Sequence, residues 1–377
     1  MGGVCQAVKT IVNALTPFGV INEIVSLDAP NEIYLKNNPF VIYAVGKGKG
    51  PWKYNPELKN WLSIHLVFYD IVIVHGLWLY TGYIVRKTLE NLTSGHRPIP
   101  KFLVMPHGML DPYFQLTEGR KIKAIRNRIF WNLIENKLIT SADALLFTCE
   151  TELELASKTF KPYHPKATIV VGLGVEVPPE YNSRMKDEFN NKLNFKDGQP
   201  YLLFLGRLQD KKGIDLLITA YRSLNKSDNN LPSLVIAGPG IETAYGKYLQ
   251  QLAEGANNIY FTNMLMGDAK WGAFYGCEAF VLTSHQENFG IAIVEAMACS
   301  KPVLISRQIN IFKEIEQDVA GLICNDSLID IEIMLKKWIL FSTDKKQTMA
   351  IAALNCFKKN YAMEVFSKKM YTLISSF

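Results

Sequence analysis

From Tyr201 onward, short apolar runs alternate with longer stretches whose apolar residues recur at helical spacing. The runs are YLLFLG (201–206), SLVIAG (233–238), NIYFTN (258–263), AFVLTS (279–284), PVLIS (302–306) and GLIC (321–324). Among them lie IDLLITAYRSL, YGKYLQQLAEG and DAKWGAFYG. A short continuous apolar run reads as a strand buried on both faces, and a helical stretch between two such runs reads as the crossover that parallel pairing requires. The pattern predicts a doubly wound α/β domain over residues 201–357.

The first half follows the same rule. Strands are predicted at 40–44, 70–75, 101–106, 144–148 and 168–172, which makes residues 1–176 a second Rossmann-like α/β domain. Between the two, VPPEYNSRMKDEFNNKLNFKDGQP (177–200) is polar and contains prolines, the composition of an interdomain linker. Residues 358–377 are expected to form a C-terminal helix packing back toward the N-terminal domain. The chain opens MGGVCQAVKTIVNAL, two glycines directly before a helical pattern, as a strand-turn-helix unit looks once its strand is removed. The first strand of the N-terminal domain is therefore expected to be missing.

The length of 377 residues fits two domains better than one. With 48% hydrophobic and 20% charged residues, a disordered chain is excluded. A net charge of +6 suits phosphates or an acidic surface but selects neither. Cys5, Cys149, Cys277, Cys299, Cys324 and Cys356 are scattered without a Cys-x-x-Cys pair, which indicates neither a disulfide framework nor a zinc knuckle and fits a reducing cytoplasm. The longest apolar stretch, IVIVHGLWLYTGYIV (71–85), is interrupted by His75, Gly76 and Gly82 and falls short of a span of ~20 residues. No basic segment leads into an apolar h-region at the start, so neither a membrane span nor a signal peptide is expected.

Four groups of residues carry candidate chemistry. First, YLLFLG runs into Gly206-Arg207 and continues LQDKKG to Gly213, placing Arg207 and Lys212 near the carboxyl end of a parallel strand, where such sheets bind ligands. The pair suits a diphosphate, Arg as a two-donor fork and Lys as a mobile charge; a solvated basic loop accounts for the same residues. Second, HQENFGIAIVEAMACSKPVLIS places Glu287 at the mouth of a loop, Asn288-Phe289-Gly290 at a helix start, and Glu295 about two turns along. Gly290 beside a helix N-terminus lets backbone amides approach an anion, and the two carboxylates could contact different sugar hydroxyls; two solvated carboxylates are the plainer account.

Third, Gly238-Pro239-Gly240 and the segment 264–271, with Met264 and Leu265, stand at strand ends of the same sheet and suit the floor of a nucleotide pocket, although ordinary turn chemistry explains them equally well. Fourth, His75-Gly76 and His107-Gly108 end two N-terminal strands, where a histidine can hydrogen-bond a substrate or move a proton, or simply be structural. His65, His96, His164 and His285 are read as structural or surface residues. No cluster has metal-ligand spacing and no Asp-x-Asp follows a strand, so no catalytic metal is expected.

The segment RKIKAIRNRIFWNLIENKLI (120–139) holds six basic residues against one acid, Glu135, with apolar residues interleaved. Two readings stay open: a helix lying on an anionic membrane surface, or a surface helix with its apolar face in the core.

Taken together, GRLQDKKGIDLL, VIAGPG and SHQENFGIAIVEAMACSKPVLIS, in this order and spacing, resemble the nucleotide-sugar domain of retaining glycosyltransferases of family 4, which have the two-domain GT-B fold. HGLW and HGMLDP resemble the N-terminal half of bacterial members, of the type that builds exopolysaccharides or lipid-linked saccharides, so the likeness covers nearly the whole chain. The resemblance implies that Arg207 and Lys212 hold the donor diphosphate, Glu287 the donor sugar and Glu295 the ribose. It implies that Phe289, Gly290 and Ile291 offer backbone amides, that His107 sits near the sugar hydroxyls, and that Gly2 and Gly3 form a glycine-rich loop by the phosphates and acceptor. The implied activity is metal-independent, retaining transfer of a hexose from a nucleoside diphosphate sugar to a hydroxyl of a saccharide or lipid-linked saccharide. No cofactor and no nucleic-acid partner is expected; the implied location is the cytoplasm, with a peripheral contact at the inner membrane face as a further expectation. Two other readings fit the same residues: a truncated, noncatalytic binder of a nucleotide sugar or partner protein, and a GT-B sugar-nucleotide epimerase or phosphorylase.

Overall fold

A computed structural model describes residues 3–35, 38–92, 98–116, 121–193, 198–225 and 231–377. Gly2, His96 and Arg120, all named above, lie outside the described residues. The chain divides into two compact units: residues 1–174 with 366–377, and residues 175–365.

In the first unit, β1 (Glu23–Ser26) and β2 (Val41–Ala44) form a parallel pair of their own. A separate parallel sheet has the order β3 (Ile71–His75), β4 (Lys101–Met105), β5 (Ala144–Phe147) and β6 (Thr168–Val170). Leu103, Val104, Met105 and every residue of β5 have no exposed surface, the two-faced burial that their uninterrupted apolar runs predict. β1 has no counterpart in the strands read from the sequence. None of its four residues is buried, so the apolar run that marks the other strands is missing. The first described element is the helix Gly3–Leu15, which contains Gly3 within its first turn rather than in a loop.

In the second unit, six parallel strands run in the order β12 (Gly321–Cys324), β11 (Val303–Ser306), β10 (Ala279–Leu282), β7 (Tyr201–Leu205), β8 (Ser233–Ala237) and β9 (Ile259–Thr262). Each coincides with an apolar run of the sequence. Residues 177–200 are not a plain linker: they contain the helix Ser183–Leu193, which packs within this unit against the helix Gly267–Gly276. Met185 and Phe189, one turn apart, are its buried face, and Phe189 stacks on Tyr201 at 5.2 Å. The approach is close enough that a Cβ on Gly272 would fall 1.9 Å from the Met185 carbonyl oxygen. Only two of its residues are buried, so the polar remainder hides the helix from a reading based on composition.

The chain ends in two helices, Thr343–Asn360 and Met363–Ser375. Residues 358–360 finish the first of these instead of opening the last. Within the first unit Tyr371 stacks on Phe18, ring centroids 4.5 Å apart. Among the described residues no helix is long and apolar enough to cross a membrane. All six cysteines are free, and all but Cys5 are buried.

Candidate active site

The order of the six-stranded sheet reverses between β7 and β10: β8 and β9 lie to one side, β11 and β12 to the other. Open α/β sheets bind ligands beyond the carboxyl ends of their strands at such a point. The β7–β10 ladder covers only Leu202 and Leu203 against Ala279 and Phe280 and stops short of either carboxyl end.

The loop after β7 hangs on the turn after β8. Gly206 N donates to Ala237 O at 2.9 Å and Leu208 N to Pro239 O at 2.9 Å. Gly238 makes this approach possible: its φ is +148°, and a Cβ there would fall 1.8 Å from the Gly206 carbonyl oxygen. Further on, Asp210–Lys212 form a 3-10 turn that ends at Gly213, with φ +61°. A Cβ on Gly213 would lie 2.2 Å from Thr283 O, while Thr283 Oγ1 donates to Gly213 O at 2.8 Å and His285 N to Lys211 O at 2.8 Å. The loop after β7 is thereby fastened to the loop after β10.

That fastening places Lys212 Nζ on Glu287 Oε2 and Lys211 Nζ 3.3 Å from Gln286 Oε1. Glu287 is itself held by its backbone: its N–H donates to Gln308 O at 3.1 Å, and its carbonyl accepts from Asn310 N at 2.9 Å. Burial is the largest influence on the Glu287 carboxyl and pushes it up, but the charge of Lys212, followed by Lys211, the Lys212 hydrogen bond and Arg207, holds it below the usual carboxylate range. It is a half-buried carboxylate kept ionised by three cations. Arg207 is exposed at the mouth of the loop.

Just beyond, Gly290 takes φ +77° as the residue before the helix Ile291–Ala298. Phe289 is buried and meets Tyr361 edge-on at 5.7 Å. The first amides of this helix lack partners within it, so the Phe289-Gly290-Ile291 turn presents N–H groups and the positive end of the helix dipole. Glu295, one turn into the helix, pairs with Lys270 Nζ at 2.6 Å, and Lys270 lies over the Trp271 ring at 4.5 Å. Leu265 is buried and Met264 exposed. Within this one unit, then, Gly206, Arg207, Lys212, Gly238, Glu287, Phe289, Gly290, Ile291 and Glu295 all lie at or just beyond the carboxyl ends of the sheet.

His107 belongs to the other unit. There its Nε2 lies 3.0 Å from Nδ1 of His75, at the end of the adjacent strand. Burial, reinforced by His107, pushes the His75 imidazole down to about 3, and burial pushes His107 down to about 4. Both rings are neutral near pH 7, with one proton available to share between the facing nitrogens. His107 has φ +53°, unusual for a residue with a Cβ. The conformation is held by Glu152, whose Oε1 accepts from Gly108 N at 2.5 Å and whose Oε2 accepts from Thr148 N and Oγ1 at 2.7 and 2.6 Å. Trp78, φ +69°, donates its N–H to Glu135 Oε1 at 3.0 Å in the same way.

Sequence reasoning missed Lys270 and Glu152 and the pairings of Glu135 and His285, the latter read as structural or surface. His285 Nδ1 lies 2.8 and 2.7 Å from the two oxygens of Asp326. The hydrogen bond to Asp326 is the largest influence and holds the imidazole above its usual range despite burial. Glu152 carried a usable signal, a carboxylate three residues into the helix Glu150–Thr159 after its cap Cys149, the capping-box spacing. The others had none, because their partners are remote in sequence.

Residues 185–353 match the model of the family glycosyl transferases group 1. The chain is 27% identical over 258 residues to O-antigen chain mannosyltransferase C of Escherichia coli, covering 66% of this chain and 66% of that protein. It is 31% identical over 137 residues to a glycosyltransferase of Methanocaldococcus jannaschii, covering 36% of this chain and 35% of that protein. The alignments thus span less than two thirds of these relatives' own length. Among solved structures, the Anabaena protein HepE superposes with a TM-score of 0.76 at 16% identity, covering 100% of this chain and 96% of HepE. Sucrose-phosphate synthase from Thermosynechococcus elongatus gives 0.75 at 16% identity, covering 100% and 93%. At these identities the likeness is one of fold.

Proposed function

We propose, from a chain of GT-B fold whose residues 185–353 match the model of glycosyl transferases group 1, that the protein transfers a hexose from a nucleoside diphosphate sugar to a saccharide hydroxyl with retention of configuration. The observation that carries this reading is the convergence of Arg207, Lys212 and Glu287 with the Gly290 helix start at the point where the strand order reverses.

Arg207 and Lys212 are placed to take a diphosphate, helped by the amides of Phe289, Gly290 and Ile291. Glu287, an ionised acceptor, takes a hydroxyl of the sugar. Glu295, oriented by Lys270, takes the ribose hydroxyls. Gly238, Met264 and Leu265 border the base. In the reaction the acceptor oxygen bonds to the anomeric carbon on the face from which the diphosphate departs, the bond from that carbon to the phosphate oxygen breaks, and the acceptor proton passes to the departing phosphate. The cations and the helix start stabilise the charge on the leaving group without a metal ion in this reading. His75 and His107, neutral, offer hydrogen bonds to hydroxyls but no charge.

The solved HepE structures hold UDP, UDP-glucose, or UDP with glucose, and the Escherichia coli relative is named a mannosyltransferase, so several donors need testing. The test is thermal melting with UDP, GDP, ADP and dTDP in EDTA, where ligand at 100 times its dissociation constant adds about 2.7 kcal/mol. The expected result is a shift with one nucleotide, followed by transfer of the matching sugar with the product anomer read by NMR. A cooperative melt unmoved by every nucleotide defeats the reading, and an inverted anomer defeats retention.

A further inference from the structure

The sequence of residues 120–139 leaves open whether its apolar side chains turn inward. They turn outward. On the helix Lys121–Phe130 and the π-helical turn Trp131–Glu135 that continues it, Ile122, Ile125, Ile129 and Leu133 are 85%, 63%, 56% and 63% exposed. Spaced three, four and four residues apart, they fall on one stripe of the helix surface. The helix is anchored from its other side: Trp131 is wholly buried, stacks on Phe160 at 4.7 Å and donates its indole N–H to Pro162 O at 3.1 Å.

The charges around the stripe have one sign. Lys123, Arg126, Arg128 and Lys137 are exposed. At about 100° per residue, Lys123 and Arg128 flank the stripe on opposite sides and Arg126 stands at its edge. The segment's one acid, Glu135, is 1% exposed and is turned to the Trp78 N–H. A second copy of this chain meeting the stripe across a two-fold axis would set these cations against themselves. An anionic bilayer matches both features, taking the apolar side chains into the acyl boundary and the cations at its phosphates.

We propose that this helix docks the protein on an anionic lipid surface. The proposal is independent of the sugar-transfer reading and is tested by sedimentation of the full chain with vesicles. One set is phosphatidylcholine alone; the other contains roughly one third phosphatidylglycerol, enough for a negative surface potential. Binding is expected to the anionic vesicles, more than tenfold weaker to the neutral ones, and weakened by salt. Lys123→Glu with Arg128→Glu should reduce it by at least about fivefold per residue, the factor for one cation near such a surface. Ile125→Ser with Ile129→Ser should reduce it as well, with unchanged circular dichroism because both side chains are exposed. The proposal is overturned by failure to sediment with anionic vesicles, by equal binding to neutral ones, by serine-variant binding equal to that of the parent, or by a dimer that the serine changes dissolve while vesicle binding is unaffected.

Discussion

Lys212 and Glu287, 75 residues apart in the chain, form an ion pair with side chains only 15% and 18% exposed. The pair joins the loop after β7 to the loop after β10, and its stabilising effect depends on Glu287 being ionised. Because the carboxyl is held below its usual range, its contribution is present above the ordinary glutamate range and is lost as pH falls through that range and below. Lys212→Ala should cost about 1–3 kcal/mol near pH 7, the cost of leaving a buried polar group without its partner. Urea unfolding of both proteins from pH 7 down to about 4 measures this. The gap should narrow as Glu287 takes up a proton; a gap that stays constant means the ion pair is not its origin.

The same residues separate binding from transfer. Lys212→Ala should weaken nucleoside diphosphate binding by about 1.5–3 kcal/mol, the range for hydrogen bonds to charged groups. Glu287→Ala should depress sugar transfer much more than it weakens binding of the free nucleotide. Calorimetry with the nucleotide and initial rates with its sugar make the comparison. Equal losses in both would remove Glu287 from the sugar.

Two glycines with positive φ provide a paired test of packing. Gly238→Ala drives a Cβ into the Gly206 carbonyl oxygen, whereas Gly255, with φ +80°, has nothing within 4 Å of a Cβ. Gly255→Ala should cost only the backbone strain, about 1–2 kcal/mol. Gly238→Ala should cost about 2 kcal/mol more, because two backbones must separate. Chemical denaturation of the two variants decides it, and equal losses would show that the turn after β8 yields freely.

The two histidine sites should titrate on opposite sides of the ordinary imidazole value. His75 and His107, pushed down to about 3 and about 4, should stay predominantly neutral by NMR between pH 5 and 7. Their contribution to stability should fall as pH drops below the ordinary imidazole value, where the unfolded chain takes up protons first. His285, held up by Asp326, should remain protonated above that value, contributing stability below it that is lost as pH rises through the folded-state midpoint. Asp326→Asn should lower the His285 midpoint and leave those of His75 and His107 where they were. A His285 midpoint indifferent to Asp326→Asn would mean that the short contact carries no charge interaction.

The sequence by itself determined the strands of the four-stranded and six-stranded sheets, because their short continuous apolar runs stand out from amphipathic helices. It also determined which loops hold Arg207, Lys212, Glu287 and Gly290, since these follow the apolar runs directly. It did not reveal β1 or the helix Ser183–Leu193, whose few buried residues leave little trace in composition. Only tertiary structure decided who meets whom. The partners Lys212 and Glu287, Lys270 and Glu295, and His285 and Asp326 come from separate strand-loop units, and nothing local in the chain encodes how their ends align. The same holds for Ile122, Ile125, Ile129 and Leu133: helical spacing put them on one stripe, but burial of Trp131 on the other side is what turned that stripe to solvent.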